Sequence, residues 1–366
     1  MYTRLLRYLL WGNLFLALAV ACGTLPFAQA TPTPMPTSTP TATATPQPSP
    51  TPTRTATPSA TPQPTPKPLL ENEEYQHSDG WIAFFKPAGW HIAWENPYGV
   101  EMRSPSGQSW LTIHATHTGQ PVTDQALSNF AEAVAANLTS PDFQRSDAIF
   151  ESEWAEIRGT MTWLEPGNIR MVHFYDDHTV ISWIFFLADS DAERWSGLLD
   201  AIFEEGFVYD TIPIREHPLY AIRMQYTAPN ELFELTVPLA WMIFSEEADS
   251  ETWVETFVAP TADALIDVIV ISLEEGEVDI QAAGKVTLLV MREFYGQDLR
   301  VTDDQVLPDG RERLTWTTGA HRGITFFDVP TPSTYLFLTV GADKDKWELY
   351  APMFDEILET YEPLTP

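Results

Sequence analysis

The sequence predicts an α+β protein: two tandem α/β/α sandwich domains with mainly antiparallel sheets, carried behind a disordered Pro/Thr-rich linker. Three observations lead there. Composition changes abruptly near residue 70, because residues 1–70 hold no Asp or Glu. A short pattern, "KPAGW" at 86–90, returns as "VPLAW" at 237–241. Around both copies, strand-like alternation gives way to helix-like spacing of apolar residues, in the same order twice.

The chain begins with Arg4 and Arg7 ahead of an apolar run, "YLLWGNLFLALAVA", that ends at Cys22. A basic start, a short apolar stretch and small residues before a cut are the marks of an export signal. The end of the run, "LAVAC", resembles a bacterial lipobox, which implies cleavage before Cys22 and acylation of its thiol. Ala19 departs from the pattern, which usually has Leu there. An ordinary signal peptide or an uncleaved anchor are the alternatives. A spanning helix needs about 20 apolar residues, and Gly12 and Asn13 interrupt this run. Residues 1–22 are therefore expected to be a lipoprotein signal peptide with lipobox, and Cys22 the lipid attachment site. Cys22 is also the only cysteine, so no disulfide can form within the chain.

Residues 23–70 read as a disordered linker. From Thr31 to Pro68, 13 of 38 residues are Pro and most others are Thr, Ala or Ser, so no core can form. Proline fixes φ and removes backbone donors, which leaves polyproline II as the expected state. At about 3.1 Å per residue such a tether reaches on the order of 100 Å. It would stand a folded part away from a membrane.

The remaining length suits two domains, 71–210 and 211–366. Pro87 and Trp90 match Pro238 and Trp241 at an offset of 151. Arg158 matches Arg313, "ADSD" at 188 matches "ADKD" at 342, and Asp200 matches Asp355, at offsets of 154 or 155. Each unit opens with an alternating strand that Pro ends, since Pro cannot donate to a ladder. Strands such as "LTIHATH" and "LIDVIVIS" follow, then helices over "DQALSNFAEAVAANL" and "DIQAAGKVTLLVMREFY". "TVISWIFFLA" and "STYLFLTVGA" are apolar on both faces and belong in mid-sheet. A last helix closes each unit. Its stripe is Trp195, Leu198, Leu199, Ile202 and Phe203 in the first, and Trp347, Tyr350, Phe354, Leu358 and Tyr361 in the second. Residues 209–218 are the expected join.

The strand ending in "KPAGW" or "VPLAW" and the closing helices "WSGLLDAIFEEGF" and "YAPMFDEILETY" resemble the PsbP/Mog1 superfamily, twice over residues 71–366. The resemblance implies a PsbP/Mog1-like fold in each unit and a mostly non-enzymatic role. Its members include extrinsic photosystem subunits, a binder of a small GTPase, and bacterial exported lipoproteins. No metal or partner residue of those proteins can be placed on this sequence.

Candidate chemistry is sparse. His114 and His117 sit three apart on an expected strand and so point to opposite faces. His173, Asp176, Asp177 and His178 in "HFYDDH" are compact enough to suggest a metal site at a turn, with His173, Asp177 and His178 serving a metal-dependent hydrolase as the alternative function. Asp189, Asp191, Asp343 and Asp345 precede helices and read as N-caps. "NLT" at Asn137 fits a glycosylation triplet but falls in an expected helix. There is no G-x-S-x-G, no phosphate-cradling glycine loop and no sign of a cofactor.

Beyond residue 70, 16 basic residues face all 51 acidic ones, a formal charge of −35. Nucleic acid is excluded as a partner, since such binding depends on neutralising phosphates. The expected function is an exported, membrane-tethered, non-catalytic binding, accessory or scaffold module on the extracytoplasmic face of a bacterial membrane. Its membrane contact would run through the N-terminal lipid, and a groove between the units would receive a protein or small-ligand partner.

Overall fold

The computed structural model describes residues 68–229, 231–247, 252–273, 280–308 and 310–364. Cys22 and the linker lie outside these residues. Residues 68–366 form one compact unit. Its first half runs β1 (Leu70–Gln76), β2 (Ile82–Pro87), β3 (His91–Asn96), β4 (Gly99–Arg103), β5 (Trp110–His117) and α1 (Asp124–Leu138). It continues through β6 (Gln144–Glu151), β7 (Trp154–Thr162), β8 (Pro166–Asp176) and β9 (Thr179–Ala188). Helices α2 (Ala192–Trp195) and α3 (Leu198–Glu205) and strand β10 (Phe207–Tyr209) complete it. The second half runs β11 (Arg223–Thr227), β12 (Phe233–Pro238), β13 (Met242–Glu247), β14 (Thr252–Val258), β15 (Ala264–Ser272) and α4 (Ile280–Tyr295). It ends with β16 (Arg300–Val306), β17 (Glu312–Thr317), β18 (His321–Thr331), β19 (Thr334–Asp343), α5 (Trp347–Glu359) and β20 (Glu362–Pro363).

The protein is α+β, with two seven-stranded antiparallel sheets. Their orders are β3-β4-β5-β9-β8-β7-β6 and β13-β14-β15-β19-β18-β17-β16. A three-stranded sheet accompanies each, β1-β2-β10 and β11-β12-β20. β9 and β19 take the central place, and all ten residues of β9 are buried. This is what their largely apolar sequences require, since a strand apolar on both faces needs cover on both sides.

The opening strand of each half does not join the main sheet. Pro87 and Pro238 end β2 and β12, and the next turn closes with Trp90 N–H donating to Pro87 O (3.1 Å) and Trp241 N–H to Pro238 O (3.2 Å). This corner transfers the chain from the small sheet to the large one. Both tryptophans are buried at it, Trp90 edge-on to Trp195 of α2 (centroids 5.6 Å) and Trp241 edge-on to Phe354 of α5 (6.4 Å). The repeated Pro and Trp thus join the small sheet, the large sheet and the closing helix.

Helix α1 begins at Thr123, whose side chain accepts from Ala126 N–H. Leu127, Phe130, Ala131 and Val134 bury one stripe against the first sheet. The opposite stripe meets the second half. Asn137 Nδ2 donates to Leu239 O (2.8 Å) and Trp241 O (2.9 Å), and Asn129 Nδ2 donates to Pro260 O (2.9 Å). Just before the helix, Gln120 donates to Asp263 and to the Tyr350 hydroxyl. Gly119 holds φ at +71°, and a Cβ there would crowd the Leu219 and Leu349 side chains at 2.6–3.0 Å, so any other residue is strained. The hydrophobic core consequently runs from the α1 face of the first sheet to the α5 face of the second without a break.

One shared core predicts one unfolding transition. Urea unfolding followed by tryptophan fluorescence and far-UV circular dichroism should give coincident curves. Trp241→Ala should cost about 3–5 kcal/mol, and Asn137→Ala about 1–3 kcal/mol because two buried carbonyls lose their donor. Two separated transitions would show that the halves are held apart in energy.

Candidate functional site

The "HFYDDH" segment spans the end of β8 and the turn to β9, and the fold takes it apart. His173 is fully buried, shares a hydrogen bond with Ser182 Oγ (Nδ1–Oγ 2.9 Å) and lies edge-on to Phe130 of α1 (5.7 Å). Asp176 accepts from the Thr211 hydroxyl (2.9 Å). Asp177 turns the chain with φ of +51°, a conformation Asp tolerates. Its carboxylate pairs with His178 Nδ1 (2.7 Å) and Arg215 (3.3 Å). His173 therefore faces the core while Asp177 and His178 stay at the surface. Among the described residues no group of three His, Cys, Asp or Glu is placed to hold a metal ion.

His114 and His117 part as their spacing requires. His117 lies with its ring near His178 O (3.3 Å). His114 turns inward and stands in one row with Ser182 and His173, each opposite the next across β5, β9 and β8. This buried row was not visible in the sequence, because its members lie far apart in the chain and meet only through strand register. Burial pushes the His114 ring down to about 4. Burial and the nearby His114 push His173 to about 3. Both are neutral at ordinary pH.

The aspartates before the closing helices are not caps. Asp191 makes no side-chain bond to the start of α2. Its Oδ2 instead accepts from the hydroxyls of Ser104 (2.8 Å), Ser106 (2.7 Å) and Ser109 (2.8 Å). Burial alone would raise this carboxyl, but the three hydroxyls outweigh it and hold Asp191 below the ordinary aspartate range. In the second half, α5 starts after Lys346 without a side-chain cap, and Asp343 pairs with His321 (3.2 Å). The helix starts lie where tertiary partners outcompete the local N–H groups.

The expected groove between the halves is filled. Between His114, Thr116, Phe130, Val134, Ile222, Leu239 and Ala240 no space for a water molecule remains. The triplet residue Asn137 is committed to the carbonyls beside it. A shallow depression of about 250 Å³ opens where the β7–β8 hairpin meets Asp142 and Asp189. Hydrogen bonds from Ser140 and Thr162 hold the Asp142 carboxyl below its usual range. Arg170 and Arg158 converge on buried Glu156, and Arg170 also reaches Asp200 on α3. In the second half Arg313 pairs with Asp355 directly (3.9 Å).

No family model and no curated protein matches the chain. The solution structure of cyanobacterial PsbP (CyanoP) from Synechocystis is similar at 12% identity and a TM-score of 0.33, covering 39% of this chain and 93% of that one. A crystal structure of a protein from Bacteroides thetaiotaomicron is similar at 7% identity and a TM-score of 0.25, covering 42% of this chain and 53% of that one. Neither likeness carries an argument about activity at these scores.

The buried histidines make stability depend on pH. Their folded pKa values lie below the unfolded value near 6.5, so the unfolded state binds more protons. The stabilisation is complete above pH 6.5 and is lost as pH falls toward 4 for His114 and 3 for His173. For His114 the loss amounts to roughly 3 kcal/mol. His114→Leu should flatten the stability profile between pH 6.5 and 4 relative to the unsubstituted chain. Parallel profiles would mean that His114 titrates alike in both states.

Proposed function

We propose that the chain is an exported lipoprotein whose folded part acts as a non-catalytic accessory or binding module. It would stand off the extracytoplasmic face of a bacterial membrane on its Thr/Pro-rich tether. Its two halves are read as tandem copies of one PsbP/Mog1-like unit. Support for the copies comes from the equal order of the two large sheets and from the matching Pro–Trp corners.

The observation that carries the non-catalytic reading is the fate of the reactive side chains. His173 is under Phe130, Asp191 is saturated by three serines, and Asp177 is shared by His178 and Arg215. Each is bound by other side chains of the same chain, Asp177 at the surface and the other two farther in, which supports a structural use for them. The tether reading rests on "LAVAC" and on the linker composition.

Two measurements test this. Labelled palmitate should enter the unsubstituted chain and not the Cys22→Ser variant; no label in the unsubstituted chain would remove the lipid anchor. In a thermal-shift series with zinc, calcium and magnesium, Tm should not move in a way that Asp177→Asn abolishes. A cation at about 100 times its Kd would add about 2.7 kcal/mol. A rise of that size lost in Asp177→Asn would transfer the reading to the metal-dependent hydrolase.

A further inference from the structure

The chain crosses from the first half to the second as "YDTIPIREHP", residues 209–218, and four of the eight histidines gather where it does so. His178, His117, His217 and His77 follow one another across one end of the first sheet. The crossing segment is strapped over that end. Asp210 N–H donates to Trp81 O (2.9 Å), the Thr211 hydroxyl to Asp176 (2.9 Å) and Arg215 Nη2 to Asp177 Oδ2 (3.3 Å). Just past it, Tyr220 N–H donates to His117 O (3.0 Å). Between these ties Ile214 is buried in the core that the first small sheet covers. Asp176, Asp177, His117 and His178 thus share one place: they surround the join between the halves.

These surroundings suit neutral rings. His117 is half-buried among His178, His217 and Arg215, all of them bases, with Nδ1 3.3 Å from His178 O. His217 lies edge-on to Tyr98 (5.1 Å), and its Nδ1 is buried without a hydrogen-bond partner. Asp79 and Glu216 on one side of it and His77 on the other act in opposite senses. His77 is itself committed, accepting from Asp79 N–H (3.1 Å) and lying against Asn96 O (3.0 Å). Burial holds the His117 and His217 rings below the ordinary histidine range, outweighing His178 O for the first and the two carboxylates for the second. His178 bears on a tie directly. Its Nδ1 and Arg215 Nη2 share Asp177 Oδ2 (2.7 and 3.3 Å), so a protonated His178 competes with Arg215 for that oxygen. We propose that residues 209–218 are an acid-released strap: protonation of the histidine cluster frees the join from the first half while α1 keeps the halves together. The sign follows from linkage. A ring held below its free value of about 6.5 takes up a proton on release, so docking is complete above that pH and weakens below it. The amides of Asn129 and Asn137 that bind the second half do not titrate. The proposal rests on neither the lipid anchor nor the tandem reading, and its failure leaves both standing.

Amide hydrogen exchange on the chain carrying Cys22→Ser, corrected for the pH dependence of the chemical step, tests this. The amides of Asp210 and Tyr220 report the strap, and those of Ile184 and Phe186 in β9 report opening of the whole fold. Between about pH 7.5 and about pH 5, protection at Asp210 and Tyr220 should fall about tenfold or more beyond any fall in β9, because each proton taken up on release gives up to about tenfold per pH unit. The double variant His117→Gln, His217→Gln should lose most of that fall and keep the strap protected at both pH values. Should the double variant not fold, each single variant still carries the test and should show a smaller fall than the unsubstituted histidines. Strap protection that does not change with pH, a fall no larger than that in β9, or an equal fall in the variants would overturn the proposal.

Discussion

The architecture depends on covering β9 and β19 on both faces. A central strand that is largely apolar on both faces must sit between two layers, and each half builds both. One layer is the Pro–Trp corner with its small sheet and closing helix. The other is the helix between the fifth and sixth strands. In the first half that helix, α1, has a second task, because its outer stripe carries Asn129 and Asn137 with Ala133 buried between them. A small residue permits close approach, and the two amides satisfy carbonyls that would otherwise be buried without donors. The link between the halves follows from how the first half covers its own sheet.

The same demand explains why the polar residues ended in internal service. Glu156 is buried on β7, and burying a carboxylate costs several kcal/mol unless it is paired. Arg158 and Arg170, opposite each other across β7 and β8, both converge on it. Asp191 plays the reverse part: one carboxylate oxygen holds the Ser104–Ser109 turn against the end of β9, and Ser109 Oγ in turn accepts from Ala188 N–H. Such charge-assisted bonds are about twice as strong as neutral ones and fix the loop.

The strand and helix order, the two central strands and the closing stripes were legible in the sequence because each is a local periodic pattern. The Pro–Trp corner was legible as a repeat, although its role in moving the chain between sheets was not. What stayed hidden depends on register and on distant partners. Asp191 resembles an N-cap in every local respect, and only serines more than 80 residues away decide otherwise. His114, Ser182 and His173 form a row only once three strands pair in one register. Arg158 and Asp200 recur as Arg313 and Asp355, yet in the first half the aspartate is bound by Arg170 and in the second by Arg313. Matching residues at matching offsets identified a common place in the fold and left the pairing open. The groove expected between the halves was misjudged for a related reason. An Ala- and Asn-bearing helix face reads as solvent-facing until a partner surface is placed on it.

The two buried rows show what the halves share. On the α1 face of the first sheet the row is His114, Ser182 and His173; on the α4 face of the second it is Asp267, Thr339 and Thr325. The strands and their order are the same, but the chemistry differs. The first row is neutral, with Phe130 against it. The second holds a carboxyl that burial raises, bound by the hydroxyl of Tyr295 from α4, whose ring stacks on Trp316 (4.7 Å). A polar row beneath a helix satisfies hydrogen bonds and fixes where that helix sits, and several residue sets can do so. A shared reaction would need the same acid, base or nucleophile in both rows, because proton transfer depends on the pKa of the group and not on polarity alone. What the two halves hold in common is therefore geometry: the corner, the central strand and the seat of the helix.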